Sequence, residues 1–290
     1  MNPAWADRTW TSADGLALYA RDYAPASGPA KLPVLCLHGL TRNSADFEDL
    51  APWIAARGRR VLAPDVRGRG RSAHDPLPQN YTPATYAADV LALLDAAGIG
   101  RALIVGTSMG GIIAMVLAGL RPLAVAGAVL NDVGPSLAPE GLARIAAYAG
   151  RIGAAKDWDE AAAMAKAVNG AAFPRYGDRD WLAFARRLFV EKDGALHPAC
   201  DPDIAAPIRA AGPDALAPDL TPLFLGLATG RPMLLVHGQL SDLLDAPRVA
   251  RMRTLAPHMA MAEVEGVGHA PMLDEPEALS AIERWLDAAP

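Results

Sequence analysis

The stretch Ile104-Val105-Gly106-Thr107-Ser108-Met109-Gly110-Gly111-Ile112-Ile113-Ala114-Met115 decides how the chain is read. A run of apolar β-formers stops at a glycine-rich hinge, and a long apolar helix-forming run follows. One serine stands between glycines at that hinge. A strand-to-helix turn this sharp holds its central residue in strained backbone, and side-chain-free neighbours let strand and helix approach closely. Ser108 is then lifted clear at the positive end of the helix that begins at Met109. The plainer reading, a glycine-rich turn whose serine caps a helix, stays open at this point. The Gly106-x-Ser108-x-Gly110 spacing between a strand and a helix favours an exposed nucleophile.

Outward from the hinge, strands and helices alternate. Val34–Leu37 and Ala102–Val105 are continuous apolar runs of strand length, as suits strands buried on both faces of a parallel sheet. Arg60–Pro64, Val125–Leu130, Met233–Val236 and Met259–Val264 read as further strands. Tyr81–Ala97 is a helix with Thr82 as N-cap, Pro83 at the first position and Gly98 past the end. Met109–Leu120, Pro247–Leu255 and Pro276–Asp287 are helices, and Phe47–Arg57 is amphipathic. Upstream, Arg8–Ser12 and Leu16–Tyr23 form a hairpin about Asp14-Gly15, with a Pro25–Pro33 loop after it. This alternation predicts a doubly wound α/β sheet.

The alternation breaks from Gly134 to about Thr229. Ala-rich helical segments (Gly141–Arg151, Asp159–Val168, Asp180–Val190) lie there with no convincing strand between them. We expect a core of residues 1–133 and 230–290 with a helical insertion at 134–229.

The composition narrows the function classes. Of 290 residues, 52% are hydrophobic and 20% charged, enough for a large buried core. A net charge of −5 with scattered arginines argues against nucleic-acid binding. The sequence shows neither a leader-like apolar segment near its start nor a membrane span, so a cytoplasmic protein is expected. Two cysteines and six histidines without ligand spacing support no metal site, and Gly68-Arg69-Gly70-Arg71-Ser72 fits no phosphate or dinucleotide loop, so no cofactor is expected. The expected partner is a small molecule; monomer and homodimer are both open.

A serine nucleophile needs a base, an orienting acid and an oxyanion hole. His269, in the loop between the last strand and last helix, has the right place in the order Ser…Asp…His. His38 and His237 stand at strand ends and read as loop braces. Asp242, after the strand that restarts the alternation, is favoured as the acid. Asp132 is its competitor and Asp245 a weaker third. The backbone N–H groups of Leu40 and Met109 are the candidate oxyanion donors. Leu243, Met272 and Trp181 are candidate pocket walls, with Tyr148, Trp158 and Phe184; packing is the plainer role for these aromatics. Arg42 is a pocket candidate that could bind a carboxylate, although pairing with Asp46 or Glu48 is the plainer reading. Arg67, Arg69 and Arg71 read as loop braces, and Asp65 as a backbone acceptor in the same turn.

Together, His38-Gly39-Leu40, Pro64 to Ser72, Gly106 to Gly111, His237-Gly238 to Asp242 and Gly268-His269 make the chain resemble the α/β-hydrolase superfamily over almost its whole length. The resemblance implies an eight-stranded, mostly parallel sheet with helices on both faces and a helical cap after strand six. It is similar above all to small-molecule carboxylesterases, enol-lactonases and serine C–C hydrolases. Dehalogenases and epoxide hydrolases use an aspartate where Ser108 stands. The implied activity is hydrolysis of a small carboxylic ester through an acyl-enzyme on Ser108, with His269 as base and Asp242 as acid. A lactone or C–C bond as target, or a non-catalytic small-molecule receptor, are the alternatives.

Overall fold

The computed structural model describes residues 4–28, 31–211 and 219–290. Residues 29–30 of the Pro25–Pro33 loop and 212–218 of the expected insertion therefore lie outside the described residues. Eight strands form one sheet: β1 (Ala6–Thr11), β2 (Ala17–Tyr23), β3 (Val34–Leu37), β4 (Val61–Asp65), β5 (Ala102–Thr107), β6 (Val125–Asn131), β9 (Met233–Gly238) and β10 (Ala260–Val264). Their order is β1-β2-β4-β3-β5-β6-β9-β10. β2 runs antiparallel to β1 and β4, and every other neighbouring pair is parallel. The expected eight-stranded, mostly parallel architecture is present.

The period-2 alternation of strand side chains divides the core between the two faces. Leu35, Leu37, Leu62 and Ile104 pack into one layer with α2 (Pro83–Ala96), α3 (Met109–Leu120), α8 (Thr221–Ala228) and α9 (Ala246–Leu255). Val34, Cys36, Ala63, Leu103 and Val105 pack into the other, with α1 (Leu50–Ala55) and α10 (Pro276–Ala288). Every residue of β3, β4, β6 and β9 is buried, as suits strands covered on both faces of the sheet. α2 starts as its sequence predicts: the Thr82 side chain accepts from the Thr85 N–H, and Pro83 opens the helix. Cys36 and Cys200 are free thiols. No helix among the described residues is long and apolar enough to cross a membrane.

Between β6 and β9 the chain leaves the sheet for α4 (Pro139–Tyr148), α5 (Trp158–Asn169), α6 (Asp178–Leu188) and α7 (Ala206–Ala211), then returns through α8. The expectation of no strand here is corrected. β7 (Phe189–Lys192) and β8 (Ala195–Pro198) form an antiparallel hairpin. Its turn, Asp193-Gly194, has φ of 54° and 77°, the left-handed geometry that this dipeptide favours. The hairpin escapes pattern reading because three of the four β7 residues are exposed, leaving no apolar alternation to see.

The insertion is pinned to the sheet's loops by hydrogen bonds. The Gly70 N–H donates to the Ala199 carbonyl (2.8 Å), the Asp201 N–H to Gly68 (2.7 Å) and the Gly268 N–H to Ala172 (2.7 Å). Asn43 Nδ2 donates to the Arg187 carbonyl (2.7 Å), and Arg187 pairs with Glu48 and Asp49.

Candidate active site

Ser108 sits between β5 and α3 with φ 51° and ψ −113°, a strained conformation for a non-glycine residue. The glycines around it are required by close approach. A Cβ on Gly106 would lie 2.6 Å from the Gly110 backbone, and one on Gly110 would lie 2.0 Å from the Leu37 carbonyl oxygen. The Ser108 N–H donates to the Asn131 carbonyl at the end of β6 (3.0 Å), which ties the hinge to the neighbouring strand.

His269 reaches this serine from the loop after β10. Its Nε2 lies 2.9 Å from Ser108 Oγ, and its Nδ1 lies 2.8 Å from Asp132 Oδ2. With a carboxylate facing Nδ1, the proton belongs on Nδ1, so Nε2 is the acceptor facing the serine hydroxyl. Asp132 is completely buried and has φ 54°. Its Oδ1 accepts from the Gly238 N–H (3.0 Å) and its Oδ2 also accepts from Ser241 Oγ (2.6 Å). Asn131 Nδ2 donates to the Pro271 carbonyl (2.8 Å), fixing the histidine loop against the end of β6.

The sequence preference for Asp242 is overturned. Asp242 is 40% exposed and forms a two-pronged pair with Arg144: Nε to Oδ2 at 2.5 Å and Nη2 to Oδ1 at 2.8 Å. Hydrogen bonding from Arg144 holds its carboxyl below the usual range. The reason is topological. β6 lies next to β5, so the residue just past its end is beside Ser108. Asp242 lies four residues beyond the end of β9, where the loop has turned outward. Asp245 is also excluded from the histidine, because it caps α9 by accepting from the Arg248 N–H (3.0 Å). The inward residue of that loop is Ser241, which sequence reading missed; its hydroxyl bonds Asp132 while accepting from the Leu243 and Leu244 N–H groups (3.2 and 3.1 Å).

The His38-Gly39-Leu40 loop lies against the serine: a Cβ on Gly39 would sit 3.8 Å from Ser108 Cβ. Among the described residues, neither the Leu40 nor the Met109 N–H donates a hydrogen bond. Arg69 holds this loop from beneath. Its fully buried guanidinium donates from Nε to the Leu40 carbonyl (2.9 Å) and from Nη1 to the Arg67 carbonyl (2.8 Å) and Tyr86 hydroxyl (3.0 Å). Its Nη2 lies 3.7 Å from the Met109 thioether. Among the described residues Arg69 has no carboxylate partner, whereas Arg67 pairs with Asp14, Asp75 and Asp89. Asp65 accepts from the Ser44 and Arg71 N–H groups (2.7 and 2.8 Å).

His38 and His237 are loop braces. His38 donates from Nδ1 to the Gly39 carbonyl (2.8 Å) and accepts at Nε2 from the Val66 N–H (3.0 Å). Burial lowers its pKa to about 4, so it stays neutral. His237 Nε2 bonds the Leu244 carbonyl (2.8 Å).

A cavity of about 70 Å³ lies over Ser108 and His269, walled by Leu40, Arg42, Tyr148, Phe184 and Met272 among others. Two pocket expectations are corrected. Leu243 packs in the core layer of α3 and α9, and its N–H donates to Ser241 Oγ. Trp181 is buried in an aromatic cluster with Phe173, Tyr176 and Phe184, so it supports the wall from behind. Arg42 has both roles. It is held by Asp46 (Nη2 to Oδ1 2.7 Å) and stacks over Phe184 (4.1 Å), yet it remains part of the wall. Ile145, Asn169 and Phe173 also line the cavity, and no local motif marked them.

The model of the alpha/beta hydrolase family matches residues 34–282. The 3-hydroxybutyrate-oligomer hydrolase of Cupriavidus necator is 35% identical over 94% of each chain. The 2-(acetamidomethylene)succinate hydrolase of Mesorhizobium japonicum is 30% identical over 90% of this chain and 89% of its own length. The crystal structure of an alpha/beta hydrolase from Novosphingobium aromaticivorans superposes with a TM-score of 0.91, at 42% identity over 99% of each chain.

Proposed function

Because the chain belongs to the alpha/beta hydrolase family, we propose that it hydrolyses a small carboxylic ester through an acyl-enzyme on Ser108, with His269 as general base and Asp132 as orienting acid. The observation that carries this reading is the continuous Asp132–His269–Ser108 hydrogen-bond chain at 2.8 and 2.9 Å. His269 Nε2 takes the serine proton as Oγ attacks the ester carbonyl. Asp132 keeps the Nδ1–H tautomer and stabilises the imidazolium that forms. The N–H groups of Leu40 and Met109 receive the developing oxyanion, and the partial positive charge at the start of α3 adds to their effect. His269 then protonates the leaving alcohol, and water hydrolyses the acyl-enzyme by the same steps.

The substrate class we favour is a short oligoester of a hydroxy acid. It is supported by the full-length likeness to a 3-hydroxybutyrate-oligomer hydrolase. The insertion between β6 and β9 acts as the cap that selects the substrate.

The test is hydrolysis of p-nitrophenyl acetate and butyrate, and of a linear 3-hydroxybutyrate trimer, by wild type and Ser108→Ala, with a phosphonate probe followed by intact mass. The expected result is turnover lost in the variant, by several orders of magnitude, and one adduct on Ser108. Wild-type turnover that survives Ser108→Ala, or no turnover of any ester, overturns the reading.

A further inference from the structure

A second cavity, of about 490 Å³, adjoins the one over the serine. The two share Thr41, Arg42, Tyr148 and Asn169 as wall residues. A molecule seated at Ser108 therefore has room to continue past these four side chains, and the space beyond is several times larger than the space at the nucleophile.

The far wall of this second cavity is the β7–β8 hairpin. Its register pairs Val190 with His197 and Lys192 with Ala195. Residues two apart along a strand share a face, so Val190, Lys192 and His197 stand together, and all three line the cavity. The remaining wall is largely aliphatic, with Ile152, Val168 and Leu188. Its other charged or titratable side chains are Arg42, His74, Tyr148, Asp193 and Cys200. Arg42 is neutralised by Asp46, and His74 faces Asp201 at 3.3 Å. Asp193 occupies the hairpin turn beside Lys192. Among the described residues neither Lys192 nor His197 forms an ion pair with a carboxylate, and the Asp193 carboxylate beside Lys192 lines the same cavity, so the largely apolar passage ends at an ammonium that no carboxylate holds.

We propose that this second cavity is a subsite for a flexible arm of the substrate that ends in a carboxylate, with Lys192 as the charge that holds that end and His197 beside it. The aliphatic walls suit short alkyl repeats, and the ammonium suits the free acid. The chemical class is a linear oligoester of a short hydroxy acid with its terminal carboxyl ionised. The proposal rests on the esterase reading above and deepens it by assigning which end of the substrate is recognised and where.

The experiment compares kcat/KM for the linear 3-hydroxybutyrate trimer as the free acid and as its methyl ester, in wild type, Lys192→Glu and Lys192→Arg. The acid-to-ester ratio within one variant cancels any loss of folded enzyme. Wild type is expected to prefer the acid by roughly fivefold, the scale of one partly exposed ion pair. Lys192→Arg keeps that preference, and Lys192→Glu inverts it. A wild-type ratio of about one, a ratio that Lys192→Glu leaves unmoved, or a trimer cleaved in neither form overturns the subsite. Turnover of p-nitrophenyl butyrate through Ser108 judges the esterase reading separately: if it persists while the ratio is one, the hydrolase stands and the subsite falls.

Discussion

At the scale of single residues, neighbouring chemistry separates two similar candidates for the acid of the proposed triad. Asp132 has no solvent contact and accepts hydrogen bonds from Gly238, Ser241 and His269. Asp242 spends both oxygens on Arg144 at the surface. Asp132→Asn is expected to lower kcat for p-nitrophenyl butyrate by about 10³–10⁴-fold, since it favours the wrong imidazole tautomer. Asp242→Asn, which loses only a surface ion pair, is expected to stay within about threefold. Steady-state kinetics on the two variants checks both, and the reverse ranking would restore Asp242 as the acid. His38 gives a second residue-scale expectation, read in stability. Its pKa falls from an ordinary value of about 6.5 to about 4 on folding because burial disfavours the charged ring. The unfolded chain therefore binds more protons between those values, and stability is lost as pH drops from about 6.5 toward 4. The contribution is about 3 kcal/mol. Urea unfolding at pH 7 and pH 4.5 is expected to show a smaller acid loss for His38→Gln than for wild type.

At the scale of elements, the hinge between β5 and α3 and the loop after β3 are built against each other. Gly110→Ala would place a methyl 2.0 Å from the Leu37 carbonyl oxygen, on backbone that cannot swing aside. A destabilisation of about 3 kcal/mol or more is expected, read as a lowered Tm or insoluble protein. Arg69 presents the complementary case. Its bond to the Leu40 carbonyl fixes the Leu40–Thr41 peptide, which adjoins the peptide whose Leu40 N–H is the proposed oxyanion donor. Arg69→Met keeps bulk and loses that bond, so kcat is expected to fall roughly tenfold with KM little changed. An equal rise in KM with kcat intact would instead mark Arg69 as part of the substrate pocket.

At the scale of the whole molecule, the site is an assembly of loops that the sheet order brings together. Ser108 follows β5, Asp132 follows β6 and His269 follows β10, and β5-β6-β9-β10 are consecutive in the sheet. The insertion closes over them, contributing Tyr148, Phe184 and the hairpin that walls the larger cavity. Two layers of apolar side chains flank the sheet, and the cavity walls draw on both the core and the insertion: Leu40, Ile145 and Tyr148 pack with the α3 layer, while Phe173, Phe184 and Met272 pack with the aromatic cluster around Trp181.

The sequence by itself determined what is local. The Gly106-x-Ser108-x-Gly110 hinge, the Thr82-Pro83 helix start and the continuous apolar strands each rest on sterics or burial within a few residues, and such preferences are written in residue type and spacing. His269 was legible for the same reason, as the histidine of the final strand–helix loop. Only the tertiary structure decided which of Asp132 and Asp242 meets His269, because both follow a strand and their difference is which strand borders β5 and which way a loop turns. It alone placed Ser241 behind Asp132, sent Leu243 and Trp181 into packing, and folded Asp193-Gly194 into a hairpin with an exposed face. Those outcomes depend on contacts between residues far apart in the chain, here 137 positions for His269 and Asp132 and 109 for Ser241 and Asp132, and no local pattern carries that information.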